Sequence, residues 1–329
     1  MRDPRLKTLR AESLRHLGLA GNALAVRQAA RGPLRGNVPP WPKAEDADFH
    51  GTLAAVWIWS RSQTLAQHER FAANIAAAWA FVEASWTRFV PEAIGPDTGE
   101  EAAYDCALAL RAFLADREAV TDGKRSPMVD GAARVLAAYL ADLDDLSGRE
   151  FRDPGWMAWN LGEYARAVED RGLLSSARKF VDRAFGMKAP PAFAKEPALD
   201  DGLFDFSSTS ATRIMAILAT EGTTPFIGAW LRERVGPVAP RALINRPRDE
   251  STWNACVAWA LGNAHVVSTD PQFLDGYAAI VHELGRRDRD GDGAIGRGAG
   301  FPEAETLPTF YYALAVDSLA GASAGPAAT

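Results

Sequence analysis

The chain has 329 residues, 47% of them hydrophobic, 24% charged and ten of them tryptophan, ample material for a large soluble core. A net charge of -6 carries no basic stripe of the kind nucleic-acid binding needs, so no nucleic-acid partner is expected. No run of about 18 apolar residues is present to span a membrane, and the N-terminus lacks the apolar segment of a secretory signal. The two cysteines, Cys106 and Cys256, fall inside apolar helical stretches without CxxC spacing, and read as reduced core residues of a cytoplasmic protein.

In chain order, residues 1–36 come first. They hold eight Lys/Arg against Asp3 and Glu12, and Leu6 to Ala30 reads as a solvated, Arg-rich outer helix. After it two kinds of helix alternate. One kind is amphipathic, as in Val129, Ala132, Leu136 and Tyr139, or Phe273, Leu274, Tyr277, Ile280, Val281 and Leu284. The other is apolar nearly all round: "GTLAAVWIWS", "YDCALALRAFLA", "WMAWNLGEYARAV", "STSATRIMAILA", "STWNACVAWALGNA" and "TFYYALAVDSL". A helix apolar on every face has to be buried on every face. These six start near Gly51, Tyr104, Trp156, Ser208, Ser251 and Thr309, at intervals of 43 to 58 residues, the period of a repeated helical hairpin.

The pattern predicts an all-α fold, an α/α toroid of about six inner and six outer helices, as one domain over residues 1–329 with a flexible tail at 320–329. Trp57, Leu108, Leu161, Ile214, Val257 and Leu314 are expected on inner helices, with no sheet beyond short hairpins. Short links run from inner to outer helices. Long links rich in Gly, Pro and Asp run back, at 87–103, 186–207, 236–250 and 287–308. Long loops on one face of a rigid scaffold are where sites lie, and the N-termini of the inner helices favour anionic ligands there.

The stretch "YAAIVHELGRRDRDGDGAIGRGAGFPEAETLPTFYYALAVDSL" resembles the repeat of squalene–hopene-type terpenoid cyclases and protein prenyltransferase β-subunits. "FVDRAF…LDDGLFDFSSTSATRIMAILA" is a weaker copy. The resemblance implies a small-molecule enzyme with a central cavity that takes a prenyl or terpenoid ligand. The "DLDD" of Asp142 to Asp145 matches a cyclase-type acid motif, against the plainer reading of a solvated helix end. A prenyltransferase zinc would have to come from Asp105, Cys106, Cys256 and His265. His265 lies over two helical turns beyond Cys256, which disfavours a shared ion.

The polar groups in the first turns of the inner helices are the candidate site. Catalytic candidates are His50, Tyr104, Asp105 and Asn254; ligand-binding candidates are Trp156, Trp159, Asn160, Trp253 and Tyr311. Aromatic rings beside carboxylates and amides suit a prenyl chain or a stacked sugar. A carbohydrate-active toroid (polysaccharide lyase or glycoside hydrolase) and a non-catalytic scaffold are therefore carried as alternatives. The competing reading is that the aromatics fill the core while Asp and Asn cap helices. Deeper in the inner helices, Arg111, Glu163 and Arg213 read as a structural ion pair, with a catalytic acid as the alternative.

In "DRDGDGAIG", Asp288, Asp290 and Asp292 stand at positions 1, 3 and 5, Gly293 at 6 and Ile295 at 8 of a calcium loop, with Ala294 offering a carbonyl. Position 12 is Ala299, so Glu303 or Glu305 would have to close the site. Calcium or a plain Asp/Gly turn are the two readings, and either braces a corner.

Overall fold

The computed structural model describes residues 5–90, 99–116, 123, 125–143, 152–185, 208–222, 224–244, 250–298 and 301–319. Among these are twelve α-helices. They are α1 (Arg5–Arg27), α2 (Phe49–Ala66), α3 (Ala72–Phe89), α4 (Glu100–Ala115), α5 (Arg125–Asp142), α6 (Arg152–Ala167), α7 (Arg171–Phe185), α8 (Ser208–Glu221), α9 (Pro225–Trp230), α10 (Glu250–Ser268), α11 (Pro271–Gly285) and α12 (Thr306–Asp317). A π-helical turn, Leu231–Val235, continues α9. The only strands among the described residues, β1 (Gly296–Gly298) and β2 (Phe301–Ala304), form one antiparallel hairpin. Contacts divide the chain into two compact units, residues 1–81 with 239–329, and residues 82–238.

In the first unit α12 is the central element, packed on α1, α2, α10 and α11. That explains its sequence: every residue from Thr309 to Val316 is buried, so no polar stripe is tolerated. Trp57 sets its ring edge-on to Phe310 of α12. Trp59 stacks on Phe71, and its indole N–H donates to the Gly21 carbonyl at 2.8 Å. The hairpin end is tied back by Thr306, whose N–H donates to Pro40 O and whose hydroxyl donates to Pro39 O. In the second unit α6 holds the equivalent place, against α4, α5, α7 and α8.

The helices start where their side chains satisfy the free N–H groups. Asp48, Thr224 and Asp270 accept from Gly51, Ile227 and Gln272, and Pro225 and Pro271 follow at a position that needs no donor. The ends of four inner helices share one device. Gln67, Glu169, Gly222 and Thr269, just past α2, α6, α8 and α10, all take positive φ. A left-handed residue turns the chain sharply into the next outer helix, and three of the four do so without glycine. The repeat is thus visible in backbone conformation where it is not in residue identity.

All six positions expected on inner helices, Trp57, Leu108, Leu161, Ile214, Val257 and Leu314, are buried. No described helix is long and apolar enough to cross a membrane. The tail at 320–329, the "DDGLFDF" turn and Asp144 and Asp145 of "DLDD" lie outside the described residues.

Candidate functional site

The expected site residues fall in both units. In the second unit, α4 and α6 lie side by side and bring four of them together. The rings of Tyr104 and Trp156 stack at 6.0 Å and 24°, and Trp156 meets Trp159 at 5.0 Å. Residues 156 and 159 are three apart and 160 is four beyond 156, so they share one helical face. Asn160 donates to the Trp156 carbonyl at 2.9 Å and accepts from Arg111 Nε at 2.8 Å.

Arg111 organises the cluster. Its guanidinium lies 3.5 Å from the centre of the Trp159 ring, and its second nitrogen meets Glu163 at 2.7 Å. Glu163 accepts from the Trp159 indole at 2.7 Å with its other oxygen. The pair expected from sequence therefore forms, with Arg111 as its hub. Trp156 and Trp159 are 1% and 2% exposed, whereas Tyr104 is half-buried and Glu163 is 38% exposed on its side chain. The accessible chemistry is a phenol and a carboxylate standing on a packed aromatic base. Asp105 is buried one residue further along, and burial with Asp105 beside it pushes the Cys106 thiol well above its ordinary range. Cys106 is a core thiol, not a nucleophile. Arg213, on α8, is also buried, and burial lowers its guanidinium to about 9.

In the first unit, His50 sits half-buried in the first turn of α2, Trp253 half-buried in the first turn of α10, and Tyr311 is buried against Phe310. Asn254 is fully buried and its amide clamps both backbone polar groups of one residue. Its Oδ1 accepts from the Ile244 N–H at 2.6 Å and its Nδ2 donates to the Ile244 carbonyl at 2.8 Å. That arrangement anchors the link before α10. Asp48, which sequence reasoning passed over, caps α2 two residues before His50, and burial raises its carboxyl to about 6 despite N–H donors from Gly51 and His50. Its signal was the Asp placed just ahead of an apolar helix.

The carboxylates of Asp288, Asp290 and Asp292 each offer an oxygen within 4.8 Å of the others, the one such group of His, Cys, Asp and Glu among the described residues. The turn is held by N–H donation from Gly293 to Asp288 at 3.0 Å and from Ala294 to Asp292 at 2.8 Å. Gly293 takes φ of 88°, and a Cβ there would lie 2.3 Å from the Ala20 nitrogen. The glycine is required both by its conformation and by the close approach of α1. Asp288 Oδ1 accepts no hydrogen bond, and burial raises the Asp288 carboxyl. Arg27 lies beside Asp290 and Asp292, which offset the lowering of its guanidinium by burial. Glu305, one of the two residues expected to close a calcium site, is instead paired with Arg297 at 2.9 Å. Glu303 is exposed. His265, in the weighed zinc set, faces the Asp270 carbonyl at 2.9 Å.

No family model matches the chain, and no curated protein matches it. Solved structures do. The GH76A α-1,6-mannanase of Salegentibacter sp. HEL1_6 aligns with a TM-score of 0.61 and 11% identity, over 95% of this chain and 99% of that one. Two inactive variants of it, each altered at two adjacent aspartates, align similarly. One is in complex with α-1,6-mannotriose (TM-score 0.61) and the other with α-1,6-mannotetrose (TM-score 0.63, 94% of this chain covered), both at 11% identity. The fold is an α/α toroid. Among the ligand classes expected from sequence, these neighbours bind oligosaccharides; none is a terpenoid cyclase or prenyltransferase.

Proposed function

We propose that the chain is a carbohydrate-active α/α toroid that binds an α-linked oligosaccharide and hydrolyses it, in place of the terpenoid reading. The observation that carries this is the likeness to an α-1,6-mannanase over nearly the whole of both chains. The α4–α6 cluster supports it. Tyr104 offers a ring face for a sugar, and Glu163 offers a carboxylate held by an indole N–H and a guanidinium. Glycoside hydrolysis needs two carboxyl groups, one to protonate the leaving oxygen and one to act on the anomeric carbon or its water. Glu163 is the accessible carboxylate of the cluster, and Asp105, next to Tyr104 in the chain, is buried and the candidate for the second. Two reduced, buried cysteines accord with a cytoplasmic setting.

Incubation with α-1,6-mannotetraose, followed by reducing-end release and calorimetry, tests the reading. Cleavage is expected, with Glu163→Gln lowering kcat about 100-fold or more and Tyr104→Ala weakening binding about tenfold. Binding without cleavage would instead favour the non-catalytic alternative. No binding of mannosides or other neutral oligosaccharides would remove the carbohydrate reading.

We also infer that the turn of Asp288, Asp290 and Asp292 braces the α11–α12 link, with calcium the ion its clustered oxygens fit. A metal bound only to the folded state stabilises it by mass action, so chelator is expected to lower Tm by on the order of 2–5 °C. Asp290→Ala should remove that difference. Identical melting curves with and without chelator would leave a turn balanced by Arg27 alone.

A further inference from the structure

A cavity of about 660 Å³ opens between α1 and the helices α11 and α12, wholly within the first unit. It shares no residue with the Tyr104–Trp156–Trp159 cluster, and it does not rest on the oligosaccharide reading. The size falls in the range of small-molecule sites. Its floor is polar in an unusual way. His16 is 7% exposed, yet its Nε2 is buried without a hydrogen-bond partner, and Asp288 Oδ1 shares that condition. Both residues line the cavity, as do Tyr277 and Tyr312.

Buried polar groups in native proteins are nearly always hydrogen-bonded, because leaving one unpaired is costly. Ser13 and Tyr312 of the lining are committed elsewhere, while the Tyr277 hydroxyl, like His16 Nε2, is buried without a partner. Ser13 donates to the carbonyls of Leu9 and Val316, and the Tyr312 hydroxyl donates to Val281 O at 3.2 Å. The Tyr312 ring meets the His16 imidazole edge-on at 4.3 Å and so holds it in place. Burial, with Arg15 beside it, keeps His16 uncharged down to about pH 3.

The charges around the cavity mouth select no ionic ligand. Arg5 is paired with Asp275 at 2.7 Å and Arg286 with Glu283 at 3.3 Å. What remains, Glu12 and Asp288 against Arg15, has no strong excess of either sign. The open requirement is for a group that both donates and accepts, to meet a neutral imidazole and the buried Tyr277 hydroxyl. A hydroxyl does both. Apolar walls from Leu9, Val281 and Val316 suit the C–H faces of the same molecule.

We propose that this cavity is a second ligand site, for a neutral polyhydroxylated molecule of monosaccharide size, with His16 and Tyr277 hydrogen-bonding its hydroxyl groups. The test uses the full chain in the presence of EDTA, with D-mannose, D-glucose and glycerol as neutral probes and sulfate and putrescine as charged ones. The His16 imidazole resonance, assigned through its loss in His16→Gln, is followed by ¹H–¹⁵N NMR. A neutral sugar is expected to shift it saturably at millimolar concentration. Saturation-transfer titration should show binding about tenfold weaker in His16→Gln. Thr8→Trp fills the mouth from an exposed position, and is expected to abolish the shift while leaving Tm and mannotetraose cleavage unchanged. A His16 resonance unmoved by all three neutral probes would overturn the proposal. So would a shift that survives Thr8→Trp, or one produced by sulfate or putrescine alone.

Discussion

Replacing Arg111 by methionine is expected to destabilise the protein by about 3 kcal/mol, through a side chain that sequence alone marks only as awkwardly placed. The contributions are separable. Asn160 is fully buried, and its Oδ1 would lose the Nε donor at 2.8 Å, a loss worth about 1–3 kcal/mol. The guanidinium at 3.5 Å from the Trp159 ring adds about 1 kcal/mol in a largely desolvated setting. The ion pair with Glu163 adds little, because that carboxylate is 38% exposed and keeps the Trp159 N–H. Methionine replaces the aliphatic stem, so the measured loss reports the polar head rather than lost volume. Arg111→Lys should recover well under half, since an ammonium cannot lie flat on the indole and reach both acceptors. Urea unfolding with Trp fluorescence reads all three proteins. A loss below about 1 kcal/mol in the methionine variant would show that Asn160 finds another donor.

The architecture was legible because it rests on a physical rule that leaves a mark on every turn. A helix such as α12, walled in by four others, cannot carry a polar stripe, and "TFYYALAVDSL" has none until Asp317. Asp317 then finds Arg61 at 2.8 Å, at the end of the wholly buried run. The candidate site was legible in part for the same reason. Positions 156, 159, 160 and 163 lie on one face by helical spacing, and their convergence with Tyr104 and Arg111 needed only that α4 and α6 be neighbours. Asn254 shows where such reading runs out. A buried amide in a first turn looks the same in sequence whether it faces a ligand or, as here, takes both polar atoms of Ile244. Glu305 fails in a like manner, because spacing brings it near the aspartate turn while Arg297, also on the hairpin, claims its carboxylate. His16 left no mark at all. On an Arg-rich helix it reads as one more solvated residue, yet it is buried, with the Tyr312 ring from the far end of the chain set against it.

That burial sets the second large effect. Between pH 7 and pH 4 the wild-type protein is expected to lose about 3 kcal/mol of stability that His16→Phe does not lose. The folded state holds the imidazole down at about 3, chiefly by desolvation and then by Arg15, while the unfolded chain titrates near 6.5. Within that window the unfolded state binds the extra proton, so stability is complete above about 6.5 and drains away as the pH falls towards the folded value. Glu12 and Asp288, which face Tyr312 from α1 and the aspartate turn, raise the tyrosine and do not rescue the histidine. Asp48 works in the opposite sense. Its carboxyl is raised to about 6, so it favours the folded state as the pH falls from there towards 3.8. That contribution is common to both proteins and cancels in the comparison. Phenylalanine keeps the edge contact with Tyr312 and carries no proton, so the difference between the two pH profiles isolates one group. Urea unfolding at half-unit steps of pH measures it. Parallel profiles would mean that His16 takes up its proton while the protein is still folded.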